Sequence, residues 1–226
     1  MEQHIGFGAL PYDFAHLLGG TMLLFSFALL SQRRIAATID TYAAQAVTLA
    51  IAACWQGYVQ NEPSLYLTGA IAFAAKAVII PVMLRRSVKR LNLHDAREQA
   101  LSIFASMALG VALVALSIMV VLPTTVEAGA LTREDLALAL SVVLLGLLMM
   151  ITRRTAFTQV IGFMSLENGL ILAAVGVAGM PLVVELSVAV LVLVGFVVFG
   201  AFLRRMRVQF HSLDTAHFDR VGSTHR

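Results

Sequence analysis

Three ionisable residues lie within long apolar stretches of this chain: Lys76, Glu167 and Glu185. A charge at the centre of a bilayer costs at least about 2.5–3.5 kcal/mol on insertion scales, so such a residue usually faces a charged partner or water. Because burial favours the neutral form, these groups can take up and release protons near neutral pH. They are the candidates for an ion path. The alternative is a structural ion pair or a polar contact between helices.

Glu167 is the sharpest candidate because it lies near the middle of the apolar segment 156–178. At 100° per residue, the small residues of this segment fall on one stripe, and Glu167 points to the opposite side beside Gln159 and Asn168. Small residues allow close contact between membrane helices. The stripe therefore predicts helix packing through Gly162, Ser165, Gly169 and Gly176. Both faces of this helix then need protein or water neighbours, as in a multisubunit complex.

The other two charged residues, Lys76 and Glu185, are expected to lie at different depths in the membrane. Lys76 lies in the middle of segment 65–84, at a depth compatible with Glu167, although nothing in the sequence shows that the two helices touch. Pro81 is expected to kink the Lys76 helix. Glu185 lies nearer the outer surface in segment 182–203, and at 1.5 Å of rise per residue it is separated from Glu167 by roughly 10 Å of depth. Glu185 therefore either connects to Glu167 through waters and side chains or reaches the outer interface.

Other kinds of site find no support in the sequence. The chain has one cysteine, Cys54, whereas an iron–sulfur cluster normally takes four. Its six histidines lie in loops, tails or segment edges, which argues against a membrane haem with two histidine ligands. Walker, HExxH and GxGxxG motifs are missing from the sequence. We therefore expect no catalytic residue, metal or cofactor in this chain, and no nucleic-acid partner.

The elements that position these residues follow from composition. Apolar residues make up 59% of the chain, charged residues 13%, and the mean hydropathy is +0.87. Soluble proteins average roughly 45–50% apolar and about 25% charged residues. A spanning helix needs about 20 mostly apolar residues. This length predicts an all-α, multi-pass membrane bundle of seven transmembrane helices in a lipid bilayer, at 14–31, 41–60, 65–84, 101–122, 135–152, 156–178 and 182–203.

The basic residues predict the orientation in the membrane. With the N-terminus outside, fourteen of the sixteen Lys and Arg residues fall on the cytoplasmic side, and the exceptions are Lys76 and Arg133. Positively charged loops are cytoplasmic in most membrane proteins. We therefore expect the N-terminus outside and the C-terminus in the cytoplasm. The first segment is not expected to be a cleaved signal peptide, because no Lys or Arg precedes Arg33.

A faint internal repeat predicts the organisation of the single membrane domain 1–226. A shift of 120 residues lays Arg33-Arg34 on Arg153-Arg154. The chain would then consist of a three-helix unit at 14–84, a linking helix at 101–122 and a second three-helix unit at 135–203. The tail 204–226 alternates basic and apolar residues, which suits a helix on the membrane or against a cytoplasmic partner, or a disordered tail.

Parts of this chain resemble a known family of membrane proteins. The stretches TRRTAFTQVIGFMSLENGLILAA at 152–174 and MPLVVEL at 180–186 resemble the membrane component E of hydrogenase-4, as does FHSLDT at 210–215. The last three segments are similar to the K-type subunit of complex I and to the C-type subunit of multisubunit cation/proton antiporters. Those subunits carry a membrane glutamate after a double-basic turn, here Glu167. Glu185 matches their second glutamate, with a shorter spacing than in complex I.

The resemblance implies a non-catalytic membrane subunit of a group 4 [NiFe]-hydrogenase, such as a formate hydrogenlyase-type complex, in a bacterial or archaeal plasma (inner) membrane. Redox cofactors would lie in partners: antiporter-like and other membrane subunits, and a peripheral hydrogenase arm on the cytoplasmic side. Glu167, Glu185 and Lys76 would contribute to proton translocation. The competing hypotheses are a subunit of a multisubunit Na⁺/H⁺ antiporter without a redox partner, and a free-standing seven-helix transporter or sensor.

Overall fold

A computed structural model describes residues 10–91, 102–124 and 130–176. The predicted seventh segment 182–203, with Glu185, and the tail 204–226 lie outside these residues. The described residues form helices: α1 Leu10–Ser31, α2 Ile35–Gln60, α3 Pro63–Ile71, a π-helix Ala72–Ile79, α4 Ile80–Leu91, α5 Ile103–Thr124, α6 Ala130–Thr152 and α7 Ala156–Val175. The all-helical fold is therefore confirmed for the described part of the chain.

Six of the described helical stretches are long and apolar enough to cross a membrane. They are Asp13–Ser31, Ile35–Gln60, Pro63–Lys89, Ile103–Pro123, Glu134–Thr152 and Ala156–Val175. The third combines α3, the π-helix and α4 into one continuous rod. Each corresponds to one of the first six segments predicted from the sequence. The chain is thus a multi-pass membrane protein.

Several helices extend beyond the predicted segments, and two of them extend the furthest. The α2 helix begins at Ile35, before the predicted limit at 41, and the helix predicted to end at 84 continues to Leu91. The predicted segments include only the apolar residues that can lie in the hydrocarbon core. The hydrogen-bonded helix itself can continue beyond them into the polar interface. These extensions contain Asp40 and Arg85, which form an exposed ion pair across the two helices.

The bundle is built from two helical hairpins lying side by side. One hairpin is α1 with α2 and the other is α6 with α7, and α1 packs on α6 while α2 packs on α7. The α3–π–α4 rod packs mainly on α2, and α5 packs on α6 and α1. The helix α2 is therefore the central element, with α1, α7 and the π-helix all packed on it.

The two ends of the bundle differ in charge. One end, named the basic end, carries Arg33, Arg34, Arg85, Arg86, Lys89, Arg153 and Arg154. The other, named the acidic end, carries Asp13, Glu62, Glu134 and Asp135. The positive-inside rule favours a cytoplasmic location for the basic end. This is the same orientation that the sequence predicts, and it stays a prediction.

Polar side chains close the helix ends. The last carbonyls of a helix have no partner within the helix. The buried Arg153 guanidinium donates hydrogen bonds to the Leu29, Leu30 and Gln32 carbonyl oxygens at the end of α1. At the acidic end, Gln60 Nε2 donates to the Val175 carbonyl oxygen over 2.9 Å. Arg153, predicted as a topology marker, is also a buried contact between the two hairpins.

The apolar core is divided into unequal parts. The larger cluster contains fourteen buried residues, among them Ile39, Leu84 and Ile161, and occupies the half of the bundle nearer the basic end. A smaller cluster of five, Met22, Leu49, Ala50, Ala72 and Val142, occupies the half nearer the acidic end. Buried polar side chains lie between these two clusters.

Candidate functional site

Lys76 and Glu167 form an ion pair in the interior of the bundle. The Lys76 Nζ atom lies 3.2 Å from Glu167 Oε2, and each residue is 3% exposed. Lys76 is the middle residue of the span Pro63–Lys89, and Glu167 lies near the middle of α7. Neither side chain can therefore reach a bilayer surface, and each meets the other's charge instead.

The lysine is presented by the π-helix. The Ile80 N–H donates to the Ala75 carbonyl oxygen, which is the five-residue spacing of a π-helix. Pro81 follows directly and has no N–H to donate, so a regular α-helical hydrogen bond cannot form there. Single π turns within α-helices are frequent at functional sites. The π-helix that carries Lys76 thus ends shortly before Pro81, and the kink predicted at Pro81 stays a prediction.

A line of hydrogen bonds extends from the ion pair across the bundle. Lys76 Nζ donates to Asn168 Oδ1 over 3.1 Å, and Asn168 Nδ2 donates to Gln45 Oε1 over 3.3 Å. Gln45 Nε2 in turn donates to Ser26 Oγ over 2.8 Å. We name these five buried residues, Ser26, Gln45, Lys76, Glu167 and Asn168, the polar cluster.

The two amides orient the lysine. Each uses its oxygen as an acceptor on the side facing Lys76 and its NH₂ group as a donor on the far side. The lysine ammonium, which has donors and no acceptor, therefore meets an oxygen on Asn168 and another on Glu167. Hydrogen bonds to an ionised group are stronger than neutral ones. The cluster thus holds the ammonium beside the carboxylate.

Several buried oxygens near the cluster have spare hydrogen-bonding capacity. Within the described part of the chain, the Tyr42 hydroxyl and the Ser165 hydroxyl have no hydrogen-bond partner, and the Glu167 oxygens have none beyond the ion pair. The Tyr42 hydroxyl also interacts electrostatically with Glu167. A buried polar group without a partner costs about 1–3 kcal/mol. Such groups call for an explanation, and a role in moving protons is one.

The residues of the small-residue stripe lie in different places. A Cβ atom on Gly169 would come within 2.8 Å of the Val143 nitrogen, and one on Gly162 within 3.0 Å of the Met150 nitrogen, so both glycines lie against the α6 backbone. Ser165 is buried. Gly176 follows the end of α7, where the nearest atoms to such a Cβ belong to α7 itself.

The sequence predictions did not include Ser26 and Gln45 of the polar cluster, nor Tyr42 near it. Those predictions rest on ionisable side chains and include Asn168 only as a neighbour of Glu167. Gln45 had a readable signal, since an amide in the middle of an apolar segment also needs a partner. Ser26 and Tyr42 had none, because serine and tyrosine are common in membrane helices without a special role.

The described residues contain no group of three or more His, Cys, Asp or Glu side chains that could hold a metal ion. The polar cluster itself offers one carboxylate and one ammonium. The ammonium already neutralises the charge that would attract a cation. The chemistry available at this site is therefore the uptake and release of protons and the making and breaking of an ion pair.

Comparison with known proteins gives two kinds of relative, while no family model and no solved structure matches this chain. Hydrogenase-4 component E of Escherichia coli K12 is 29% identical over 175 residues, which cover 76% of this chain and 80% of the relative, and that of Shigella flexneri gives the same values. The uncharacterized protein Rv0085 of Mycobacterium tuberculosis is 31% identical over 205 residues, covering 89% of this chain and 91% of the relative. On this similarity, the chain belongs to the same family as Rv0085.

Proposed function

We propose that this protein is a non-catalytic membrane subunit of a redox-driven, proton-translocating hydrogenase complex, in which the Lys76–Glu167 pair forms part of the ion path. The observation that carries the proposal is this ion pair at the centre of a membrane bundle. The similarity to hydrogenase-4 component E supports the kind of complex. The plasma membrane of a bacterium or archaeon would then be its location.

The proposed step uses groups within the cluster. A proton taken up by the Glu167 carboxylate neutralises it and removes the attraction that holds the Lys76 ammonium 3.2 Å away. Asn168 keeps a hydrogen bond to that ammonium and limits its movement. Release of the proton restores the pair. A buried pair of this kind can thus couple one proton to a change in side-chain position.

A division of labour with partner subunits is part of the proposal. The electron-transfer centres would lie in a peripheral arm and the remaining pumping machinery in antiporter-like membrane subunits. The correspondence of the last three predicted spans to the K-type subunit of complex I, and the contribution of Glu185, belong to the same proposal. This chain would supply a membrane scaffold and one protonatable station.

The substitution Glu167→Gln tests the role of the pair. The amide has nearly the same shape and keeps an oxygen that can accept from Lys76, but it cannot be protonated. We expect the complex to assemble and proton pumping in vesicles to fall by about tenfold. Loss of a positioned proton-transfer group typically costs about 10²-fold or more in rate, and parallel proton routes would make the effect smaller. The measurement is the vesicle pH gradient generated per unit of hydrogenase turnover.

A matched control is Glu62→Gln, which removes a carboxylate at the exposed acidic end. It is expected to leave pumping unchanged. Normal pumping by an assembled complex carrying Glu167→Gln would reduce the pair to a structural contact and overturn the proposed ion path.

A further inference from the structure

A cleft opens into the bundle at the acidic end, on the same helices that carry the polar cluster. It offers about 20 Å³ to the centres of water molecules, which is room for about one or two of them. Its walls include Gly19 of α1, Ala52 and Gln56 of α2, Asp135 of α6, and Leu172 and Gly176. The cleft therefore enters between the two hairpins.

The mouth of the cleft is polar. Asp135 Oδ1 lies 3.2 Å from His16 Nδ1, and the same imidazole has Glu134 at 3.8 Å. Gln56 adds an amide from α2. Carboxylates at the mouth of a cleft raise the local concentration of cations, protons included. The mouth is thus suited to admitting water and protons from the adjacent solution.

The floor of the cleft lies close above the polar cluster. On α1, Ser26 is seven residues beyond Gly19, and on α2, Gln45 is seven residues before Ala52. At 1.5 Å of rise per residue, the cluster lies about 10 Å below the cleft walls on both helices. Such a distance corresponds to two turns of helix.

One thin apolar layer fills this interval. Met22 lies between Gly19 and Ser26 on α1, and Leu49 lies between Gln45 and Ala52 on α2. Both are fully buried, and they belong with Val142 to the small apolar cluster. On the opposite side of the polar cluster, the larger apolar cluster of fourteen residues extends to the basic end. Within the described residues, the thinner barrier is therefore the one beneath the cleft.

We propose that this cleft is the water-filled access route through which the Lys76–Glu167 pair exchanges protons with the solution at the acidic end, with Met22, Leu49 and Val142 as the apolar seal. This inference rests on the proposed function for the use made of the protons. The transfer itself is balanced: hydronium in the cleft loses a proton to become water, and the Glu167 carboxylate gains it to become a neutral carboxyl group. Release of the proton is the reverse.

The access route is tested with cysteine labelling of the full chain in its native membrane. After Cys54→Ala removes the one native thiol, Ala52→Cys places a thiol in the cleft wall, and Ile51→Cys places one at the same depth on the exposed face of α2. The probe is a membrane-impermeant, positively charged methanethiosulfonate. Applied at the acidic end, it should modify position 52 at least about tenfold faster than position 51, because charged reagents react with thiols in water and not in lipid.

The seal is tested by passive proton permeability. Val142→Thr keeps the shape of the side chain and adds a hydroxyl to the seal. If that variant does not fold, Leu49→Ala is used instead, because it removes apolar atoms from the seal. Either variant, reconstituted with the assembled complex whose other subunits would complete the path to the basic end, should raise the passive proton leak of vesicles several-fold. Adding Glu167→Gln should abolish the extra leak, because the route passes through that carboxylate.

The outcomes separate this inference from the proposed function. Equal labelling at 51 and 52, faster labelling at 52 from the basic end, or a leak that persists with Glu167→Gln would each overturn the access route. Fast labelling at 52 with a Glu167-dependent leak supports it. That result would stand even if Glu167→Gln left hydrogenase-driven pumping normal, which would overturn the proposed function alone.

Discussion

The ion pair between Lys76 and Glu167 is poorly explained by stability. Moving two charges out of water costs several kcal/mol per ion, and their attraction often repays this cost only in part. Apolar residues of similar volume would hold α7 against the π-helix at least as well. The sequence nevertheless places an ammonium and a carboxylate at the same depth, with Asn168 and Gln45 completing their surroundings. This desolvation cost agrees with the role proposed for the pair in an ion path.

Removing one partner of the pair should be much worse than removing both. Lys76→Met leaves the Glu167 carboxylate buried without its cation, and we expect a loss of about 3–5 kcal/mol in the free energy of unfolding. The double substitution Lys76→Met with Glu167→Gln removes both charges and should recover at least half of that loss. The measurement is thermal unfolding of the full chain in mild detergent. A double variant no more stable than Lys76→Met would contradict an ionised pair.

At the scale of helices, the contact between α6 and α7 sets the position of Glu167. A Cβ atom on Gly146 would come within 2.5 Å of the Leu166 nitrogen, the residue directly before Glu167. Gly169 makes a similar approach to Val143 on the other side. Close backbone contact of this kind is how small residues join membrane helices. With α6 on one face of α7, the opposite face presents Glu167 to the π-helix.

Filling this contact should push the helices apart. Gly146→Ala would place a methyl group against backbone atoms of Leu166 that cannot rotate away, and overpacking of this kind costs about 1–3 kcal/mol. Gly20→Ala is the matched control, because nothing lies within 4 Å of its added Cβ. In a helix interior, that change should stabilise by up to about 1 kcal/mol. Thermal midpoints in detergent give the comparison, and equal shifts for the two variants would count against the close contact.

The internal repeat predicted from the sequence relates the two helical hairpins to each other, and it stays a prediction. Shifting α1, Leu10–Ser31, by 120 residues lays it on 130–151, while α6 covers Ala130–Thr152. The same shift lays Ile35 on Thr155, the residue before α7. The first helices of the two hairpins have nearly equal lengths, 22 residues in α1 and 23 in α6. The second helices differ, with 26 residues in α2 and 20 in α7. The ion pair does not repeat, since Val47 takes the place corresponding to Glu167.

At the scale of the whole molecule, much of the described surface is apolar. On α5, Phe104 is 85% exposed and Met119 is 73% exposed, and α7 exposes Leu170. In a bilayer, such surfaces face lipid or neighbouring subunits. A subunit of a larger complex needs both kinds of surface, which agrees with the proposed assembly.

Purification of the tagged chain in mild detergent should recover the proposed complex. Because the electron-transfer centres are assigned to partner subunits, we expect nickel and iron in the preparation, in subunits separable by mass. An unrelated tagged multi-pass protein from the same membrane serves as the control for carry-over. Membrane subunits without nickel or iron would favour the antiporter hypothesis, and a chain recovered alone would favour the free-standing transporter or sensor.

The sequence alone determined the membrane class, the approximate positions of six described helices and the presence of two charges, Lys76 and Glu167, within them. These follow from local properties: a span requires about 20 apolar residues, and a charge within one is costly wherever it lies. The same reasoning indicated a packing stripe on α7. Each of these conclusions needed only the spacing of residues along one helix.

The tertiary structure decided which helices meet. The pairing of Lys76 with Glu167, 91 residues apart, depends on α2, which packs on both α7 and the π-helix. Apolar helices resemble one another in composition, so their surfaces carry little information about partners. The roles of Gln45 and Ser26, the unequal apolar clusters and the cleft above them all depend on that packing. A buried polar contact is specified by geometry between elements, whereas the sequence records only that a contact is needed.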